Sequence, residues 1–296
     1  MSAFKNVAII GASGNIGKII LEALLRAQIY SVTVITRVDS DATFVTPNVY
    51  RSDFSEGDLV DAFRGQDVII SAVGAAAFDE QQKIIDCALA AGVRHFMPSE
   101  FSASSQDEAV NKLLPLFSKK ADLITYLREQ EPKGLSWSGI ATSGLLDWGL
   151  LNGFLEFDIP NKRATVWDDG NKSFTMTNEK QLGDAVIAAL KHWDQVSNRY
   201  IYVASVETTQ NKIVEALEKA TASKWDILHV KTETQVQEAT KQLTNGDYSG
   251  ALTLVRATVF SNIPGLKSNY AKDEVLSNDV LGLEMEEIEE TVQRIL

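Results

Sequence analysis

Three glycines at 11, 14 and 17 stand between an apolar run, Val7-Ala-Ile-Ile10, and a stretch of helical periodicity. Four consecutive apolar residues read as a strand buried on both faces. Ile16, Ile19, Ile20, Ala23, Leu24 and Ala27 then recur at helical spacing. A chain that leaves a buried strand and enters a helix within so few residues is a βα unit. In such a turn Gly11 lets the backbone bend sharply, Gly14 leaves room for a pyrophosphate, and Gly17 lets helix and sheet approach. Phosphates then sit on the free N–H groups at Asn15 and Ile16, where the helix begins, and Ser13 can add a hydroxyl. The same spacing also serves as a tight turn with no ligand. Its place after a strand and inside a βαβ unit favours a dinucleotide.

The alternation continues beyond that unit. Ser31–Thr36, Asn48–Arg51, Asp67–Val73, Val93–Met97 and Leu135–Ile140 read as further strands. Helical patterns fall between them: one capped by Ser55 and running through Phe63, one over Glu80–Ala91, and one near 116–130. Strands and helices alternating at this spacing give parallel strands with right-handed crossovers. The fold class expected is α/β, a Rossmann-type doubly wound parallel sheet with a smaller α/β C-terminal substrate domain. The expected division is residues 1–152 and 153–296, with about 178–205 returning to the main sheet.

The texture changes after residue 143. Gly144, Gly149 and Gly153 interrupt large apolar residues, which suits a loop over a cleft. Ala164–Trp167 and Ser173–Thr177, around Asp168-Asp-Gly-Asn171, read as a hairpin. Lys180–Leu190 reads as a helix and Arg199–Val203 as a strand. Thr208 is the expected cap of a helix to Ala220, and Asp226–Val230 reads as a short strand. Further helices are expected near 233–243, 249–260 and 283–295.

The end of the second strand selects between nicotinamide cofactors. An NAD binder places Asp or Glu about 20 residues past the glycines, on the ribose 2′-hydroxyl. Here the strand ends at Thr36-Arg37. A guanidinium pairs with a 2′-phosphate and stacks on adenine, so Arg37 favours NADP(H). Asp39 stands close by and counts against it, and a solvated arginine at a strand end is the plain alternative.

Composition excludes several function classes. The net charge of −12 repels nucleic acid and anionic membranes. No window reaches the roughly 18 apolar residues of a membrane helix. The start carries no basic segment before its apolar run, unlike a signal peptide. The single cysteine, Cys87, can form no intrachain disulfide. The expected location is therefore cytoplasmic. Three histidines, His95, His192 and His229, lie apart from one another and from acidic clusters, so no metal site is expected. Nothing in the sequence chooses between a monomer and a homodimer.

Several segments together resemble one family. They are Gly11–Gly17, Asp67–Gly74, Ala91–Phe101 with its Pro-Ser-Glu-Phe, Lys120, and Ser143–Gly149. On these the chain resembles the NmrA-like or isoflavone reductase-like atypical short-chain dehydrogenases, and its Asp147-Trp-Gly149 resembles the fungal branch. The resemblance extends to Asp168–Asn171, Leu182-Gly-Asp184 and Leu281-Gly-Leu283. It implies an NADP(H) domain and a smaller substrate domain. It further implies that Ser71, Ala72 and Gly74 pass the cofactor ribose, that Ser99, Glu100 and Phe101 line the nicotinamide end, and that Lys120 holds the catalytic position.

The residues support that position separately. The Tyr-x-x-x-Lys pair of standard short-chain dehydrogenases is absent; Tyr126 is followed four residues later by Gln130. Lys120 begins the helix after the fifth strand, near the carboxyl edge where open α/β sheets bind ligands. In a partly desolvated cleft its amine can act as general acid or base, or it can hold a ribose hydroxyl. A solvated lysine in the pair Lys119-Lys120 is the plain alternative. Phe101, Leu145, Leu146 and Phe154 are candidates for the pocket wall, with interdomain core as the alternative for each. The Ser143-Gly144-Leu145-Leu146 sequence departs from the aromatic character of the family there.

Two functions follow. One is an NADPH-dependent reductase of a carbonyl or conjugated bond in a small apolar or aromatic metabolite, with Lys120 as proton donor. The other is an NADP(H)-sensing regulator without catalysis that binds a protein partner.

Overall fold

The computed structural model describes residues 4–46 and 48–296; the first three residues, on which the reading of the N-terminus partly rests, lie outside them. Strand β1 (Asn6–Ile10) leads through the glycine turn into α1 (Asn15–Ala27) and then β2 (Ser31–Arg37). β3 (Val49–Ser52), α2 (Glu56–Phe63), β4 (Val68–Ser71), α3 (Gln81–Ala90) and β5 (His95–Met97) continue the alternation. α4 (Glu108–Leu113) and α5 (Ser118–Gln130) precede β6 (Ser136–Ala141). Ser55 caps α2 as expected, its side chain accepting from the Asp58 N–H.

The second half begins with α6 (Leu146–Leu151), β7 (Phe157–Asp158), β8 (Arg163–Trp167) and β9 (Phe174–Met176). α7 (Glu179–Lys191), α8 (Trp193–Val196) and β10 (Arg199–Tyr202) follow. β11 (Val206–Thr208), α9 (Gln210–Thr221), β12 (Asp226–Val230), α10 (Thr232–Thr244) and α11 (Ser249–Phe260) come next. α12 (Tyr270–Asp273), α13 (Asn278–Leu281) and α14 (Ile288–Ile295) close the chain.

The main sheet has seven strands in the order β10-β6-β5-β4-β1-β2-β3. Every pairing in it is parallel. The chain runs outward in one direction from β1 and in the other from β4, so the switch point lies between β1 and β4. Ligands of open α/β sheets bind at the carboxyl ends of such strands. Because both faces are covered, the central strands β1 and β4 are apolar almost throughout. Val7 and Ile9 face a core shared with α1 and α7, whereas Ala8 and Ile10 face one shared with α2, α3 and α5. Residues 178–205 return to the sheet through α7 and β10, and β10 pairs with β6.

The expected hairpin after residue 163 does not form. β8 pairs antiparallel with β7 and parallel with β12, while β9 pairs antiparallel with β11. The turn between β8 and β9 is drawn elsewhere by its side chains. Asp168 accepts from the Thr232 N–H at 2.9 Å, the Thr232 hydroxyl at 2.6 Å and Asn262 Nδ2 at 2.8 Å. Asn211 donates to the Asp169 carbonyl at 2.9 Å. These long-range contacts tie the turn to α9 and α10, which the local pattern does not display.

Three smaller differences have local causes. The segment expected as a loop at 146–151 is the helix α6, with the Asp147 carboxylate accepting from the N–H groups of Trp148 at 2.9 Å and Glu179 at 3.0 Å. The cap of α9 is Thr209, whose hydroxyl accepts from the Lys212 N–H, because β11 extends through Thr208. The helix expected over 283–295 begins later: Gly282 ends α13 at φ +63°, residues 283–287 are not helical, and a Glu287–Glu290 capping box starts α14.

Candidate functional site

Gly11 holds a φ of +83°, and a Cβ there would meet the Ala72 carbonyl oxygen at 2.4 Å. Its turn is closed by the Gly14 N–H donating to the Gly11 carbonyl at 3.1 Å. A Cβ on Gly17 would stand 2.1 Å from that same carbonyl oxygen. Gly14 differs, since its nearest neighbour would be 3.5 Å away. Ser13, Gly14 and Asn15 are exposed, Ile16 is partly buried, and no side chain caps α1 among the described residues. The N–H groups of the first turn of α1 therefore face outward with their dipole unanswered, the arrangement a pyrophosphate fits.

The second lip of this cradle is the chain leaving β4. Ser71 is buried and its hydroxyl has no hydrogen-bond partner among the described residues. The Ala72 N–H donates to the Ile10 carbonyl at 2.8 Å, which fixes this segment against the glycine turn. Gly74 is exposed, and a Cβ on it would meet no atom within 4 Å. Ser99 adjoins it: its hydroxyl donates to the Val73 carbonyl at 2.7 Å, and its N–H donates to Gln81 Oε1 at 3.0 Å. Arg37 ends β2 on the other side of β1. It is exposed and paired with Asp39 at 3.7 Å. Both partners are more than two-thirds exposed, so the pair leaves the guanidinium available.

Beyond Ser99 the structure buries two titratable residues, Glu100 and Lys120. Lys120 lies in the first turn of α5 and is 4% exposed. Its Nζ donates to the Glu100 main-chain carbonyl at 2.7 Å and to Ser102 Oγ at 2.9 Å. The rings of Phe78 and Phe117 flank the amine at 5.0 and 4.9 Å from their centroids. Burial pulls the Lys120 amine below the ordinary lysine range, and the charge of Glu100 opposes that pull. Glu100, 2% exposed, is pushed up by the same burial and drawn down by Lys120 and by the Tyr200 hydroxyl. The solvated-lysine alternative is thus excluded for Lys120. It fits Lys119, which pairs with Asp79 at the surface.

The expected pocket residues separate. Phe101, held at φ +22°, is buried in the core that contains Met97 and Ile140. Leu146 is fully buried with Phe174, Met176 and Val259 in the core of the second half. Truncating such a leucine typically costs about 2–5 kcal/mol, so packing alone accounts for it. Leu145 is only partly buried and leans on the core of the main sheet. Phe154 is partly buried, 5.6 Å from the Trp148 ring, with Arg256 over its own ring at 5.5 Å.

Sequence reasoning missed Phe78, Phe117, Ser102 and Tyr200 around Lys120. Tyr200 had a usable signal. It and Tyr202 stand two apart in β10, so both rings lie on one face of the strand. Tyr202 in turn packs on Tyr270 of α12.

This arrangement has known counterparts. The NmrA-like family matches residues 4–248. The chain belongs to that family. An oxidoreductase named aprR from Aspergillus flavus is 33% identical over 294 residues, covering 98% of each chain. A protein from Solanum tuberosum named an isoflavone reductase homolog is 27% identical, covering 83% of this chain and 85% of its own. Among solved structures, leucoanthocyanidin reductase of Vitis vinifera in a binary complex with NADPH superposes with a TM-score of 0.78 at 17% identity, covering 98% of this chain and 99% of that one. At that identity the likeness is one of fold. Within this NmrA-like chain no described helix is long and apolar enough to cross a membrane.

Proposed function

We propose that the protein is an NADPH-dependent oxidoreductase. It reduces a carbonyl or conjugated carbon in a small apolar or aromatic metabolite. Residues up to about 152, with the returning segment 178–205, hold the cofactor, and the rest forms the smaller substrate domain. The observation that carries this reading is the buried Lys120 amine, held between Phe78 and Phe117 at the carboxyl edge of the sheet. The names of its NmrA-like relatives support it.

The residues fit the cofactor. The outward N–H groups at Asn15 and Ile16 receive the pyrophosphate, with Gly14 leaving room for it, Arg37 receives the 2′-phosphate, and Ser71, Ala72 and Gly74 run beside the ribose. Ser99 and Phe101 stand toward the nicotinamide. The bound cofactor supplies the hydride. Lys120, charged, donates a proton to the oxygen or carbon that the hydride leaves electron-rich, and later regains one from water. Ser102 and the Glu100 carbonyl hold the amine in place while this happens. Phe78 and Phe117 present their ring faces to the amine and favour its charged form. Leu145, partly buried against the main-sheet core, is the member of the apolar cluster that offers an apolar or aromatic substrate its wall. A general acid so placed contributes about 10²–10⁴ in rate.

The test is NADPH oxidation by the pure protein against carbonyl and phenolic compounds, repeated with Lys120→Met. Turnover that falls 10²–10⁴-fold in the variant, with NADPH still bound, supports the reading. A second reading is favoured by one observation: the Lys120 amine already has two internal acceptors and is closed from solvent. Tight NADPH binding with no turnover across the panel would identify an NADP(H)-sensing regulator that binds a protein partner.

A further inference from the structure

Lys120 has a buried acidic neighbour, Glu100, which touches the amine through its main chain and turns its carboxyl to Tyr200. The Glu100 main-chain oxygen accepts from the Lys120 amine, and its Oε2 accepts from the Tyr200 hydroxyl at 2.7 Å. The Tyr200 oxygen in turn accepts from the Ser105 N–H at 3.1 Å. Oε1 of Glu100 is buried and has no hydrogen-bond partner among the described residues. An ionised carboxyl left like this is strongly disfavoured unless a cation faces it. A charged amine closed from solvent is disfavoured in the same way. Each group's charge offsets the other's burial, and removing either leaves the second exposed to the full desolvation penalty.

We propose that Glu100 is the positioning residue of Lys120: its carbonyl aims the amine, and its carboxylate, anchored by Tyr200, supplies the counter-charge that keeps a proton there. This rests on the reading of Lys120 as the proton donor, and it adds the device that keeps the donor loaded. The other titratable groups around the pair do not supply charge. Tyr200 and Tyr202 on β10 and Tyr270 on α12 are all pushed upward by burial and stay neutral. Phe78 and Phe117, on the turns before α3 and α5, carry none. Asp107, the cap of α4, is the next carboxylate, and it is engaged by the N–H groups of Ala109 at 2.8 Å and Lys267 at 2.8 Å. Ser104 and Ser105, in the same loop, donate their N–H groups to the hydroxyls of Tyr270 and Tyr200. The loop from Glu100 to Asp107 is thereby fixed to the sheet and to α12, so the carboxyl cannot swing away from the amine without breaking these bonds.

The experiment is an NMR titration of the full chain with carbon-13 at the lysine Cε, and it needs no substrate. The Lys120 resonance is the one lost in Lys120→Arg. Glu100→Gln keeps the size of the side chain and an acceptor for Tyr200 but removes the charge. The expected result is a Lys120 midpoint lower by about one pH unit or more, a tenfold or greater loss of proton affinity. An unchanged or raised midpoint would overturn the proposal. Tyr200→Phe is the second variant, for the case in which Glu100→Gln does not fold. It keeps both charges but removes the anchor, and a smaller downward shift is expected, with no shift counting against the proposal. Since the readout is a titration, its failure leaves the reductase reading standing. Absence of turnover, conversely, leaves the titration result intact.

Discussion

A Cβ on Gly11 would press on the carbonyl oxygen of Ala72 at 2.4 Å, so the turn after β1 and the chain leaving β4 are in backbone contact. Gly14, three residues on, has its nearest such neighbour at 3.5 Å. The two glycines are therefore required for different reasons. Gly11→Ala combines a backbone clash with an unfavourable φ and is expected to lose at least about 2 kcal/mol of stability. Gly14→Ala is expected to fold normally and to bind NADPH at least tenfold more weakly, because its methyl group enters the space of the pyrophosphate. Thermal melts paired with NADPH fluorescence titrations separate the two. Equal loss of stability in both variants would contradict the assignment of Gly14 to the ligand.

Arg37 stands exposed at the end of β2, and its ion pair with Asp39 spans 3.7 Å. Such a pair contributes little to stability. Arg37→Glu should therefore melt within a few degrees of the parent chain. Its charge now repels a 2′-phosphate and accepts from a 2′-hydroxyl, so the affinity ratio of NADPH to NADH should fall by about 10²-fold, from removal of a charge-assisted contact and addition of a repulsive one. Titration with both cofactors measures this, and a retained NADPH preference refutes the role of Arg37.

Ser102 accepts from the Lys120 amine at 2.9 Å while its hydroxyl donates to the Glu100 carbonyl at 2.7 Å. Ser102→Ala removes one of two acceptors from a buried ammonium and leaves the other. A hydrogen bond to a charged group is worth about 1.5–3 kcal/mol. Turnover in the NADPH oxidation assay should fall about tenfold or more, with the cofactor affinity unchanged. A loss of cofactor affinity instead would place Ser102 in the nucleotide site.

The N-terminal half of the chain is legible in the sequence because its signals are local. Gly11–Gly17, the apolar strand before it and the periodic helix after it occupy some twenty successive residues, and each follows from neighbours in sequence. Ser55 as a cap and the alternation to β6 are of the same kind. β10 is legible as a strand in the same way, and it pairs in parallel with β6. The hairpin failed because Asp168 is committed to Thr232 and Asn262, residues 64 and 94 positions away. Nothing within the turn reports those partners. Lys120 could be placed at the sheet edge from sequence, but Phe78, Phe117 and Tyr200 come to it from three separate elements. Their convergence is a property of the packed sheet and has no spacing to read.

Lys172 offers a test of burial away from Lys120. Its amine donates to the Ser261 carbonyl and is pulled down to about 8, chiefly by desolvation, with Asp273, Asp107 and Asp168 opposing. The unfolded chain holds this proton up to the ordinary lysine value near 10.5. Between those two values the unfolded state binds more protons than the folded one. Stability therefore rises with pH across the window, and below about pH 8 the native state carries the full penalty of a buried ammonium. Lys172→Met removes the titrating group and keeps an unbranched side chain. The difference in melting temperature between the two proteins should shift in favour of the parent chain as the pH is raised from about 8 to about 10. Tyrosines raised by burial pull the opposite way in this range, but they are common to both proteins and cancel in the difference. A difference that stays constant with pH would mean that the Lys172 amine is solvated, and that the Ser261 carbonyl takes its hydrogen bond from elsewhere.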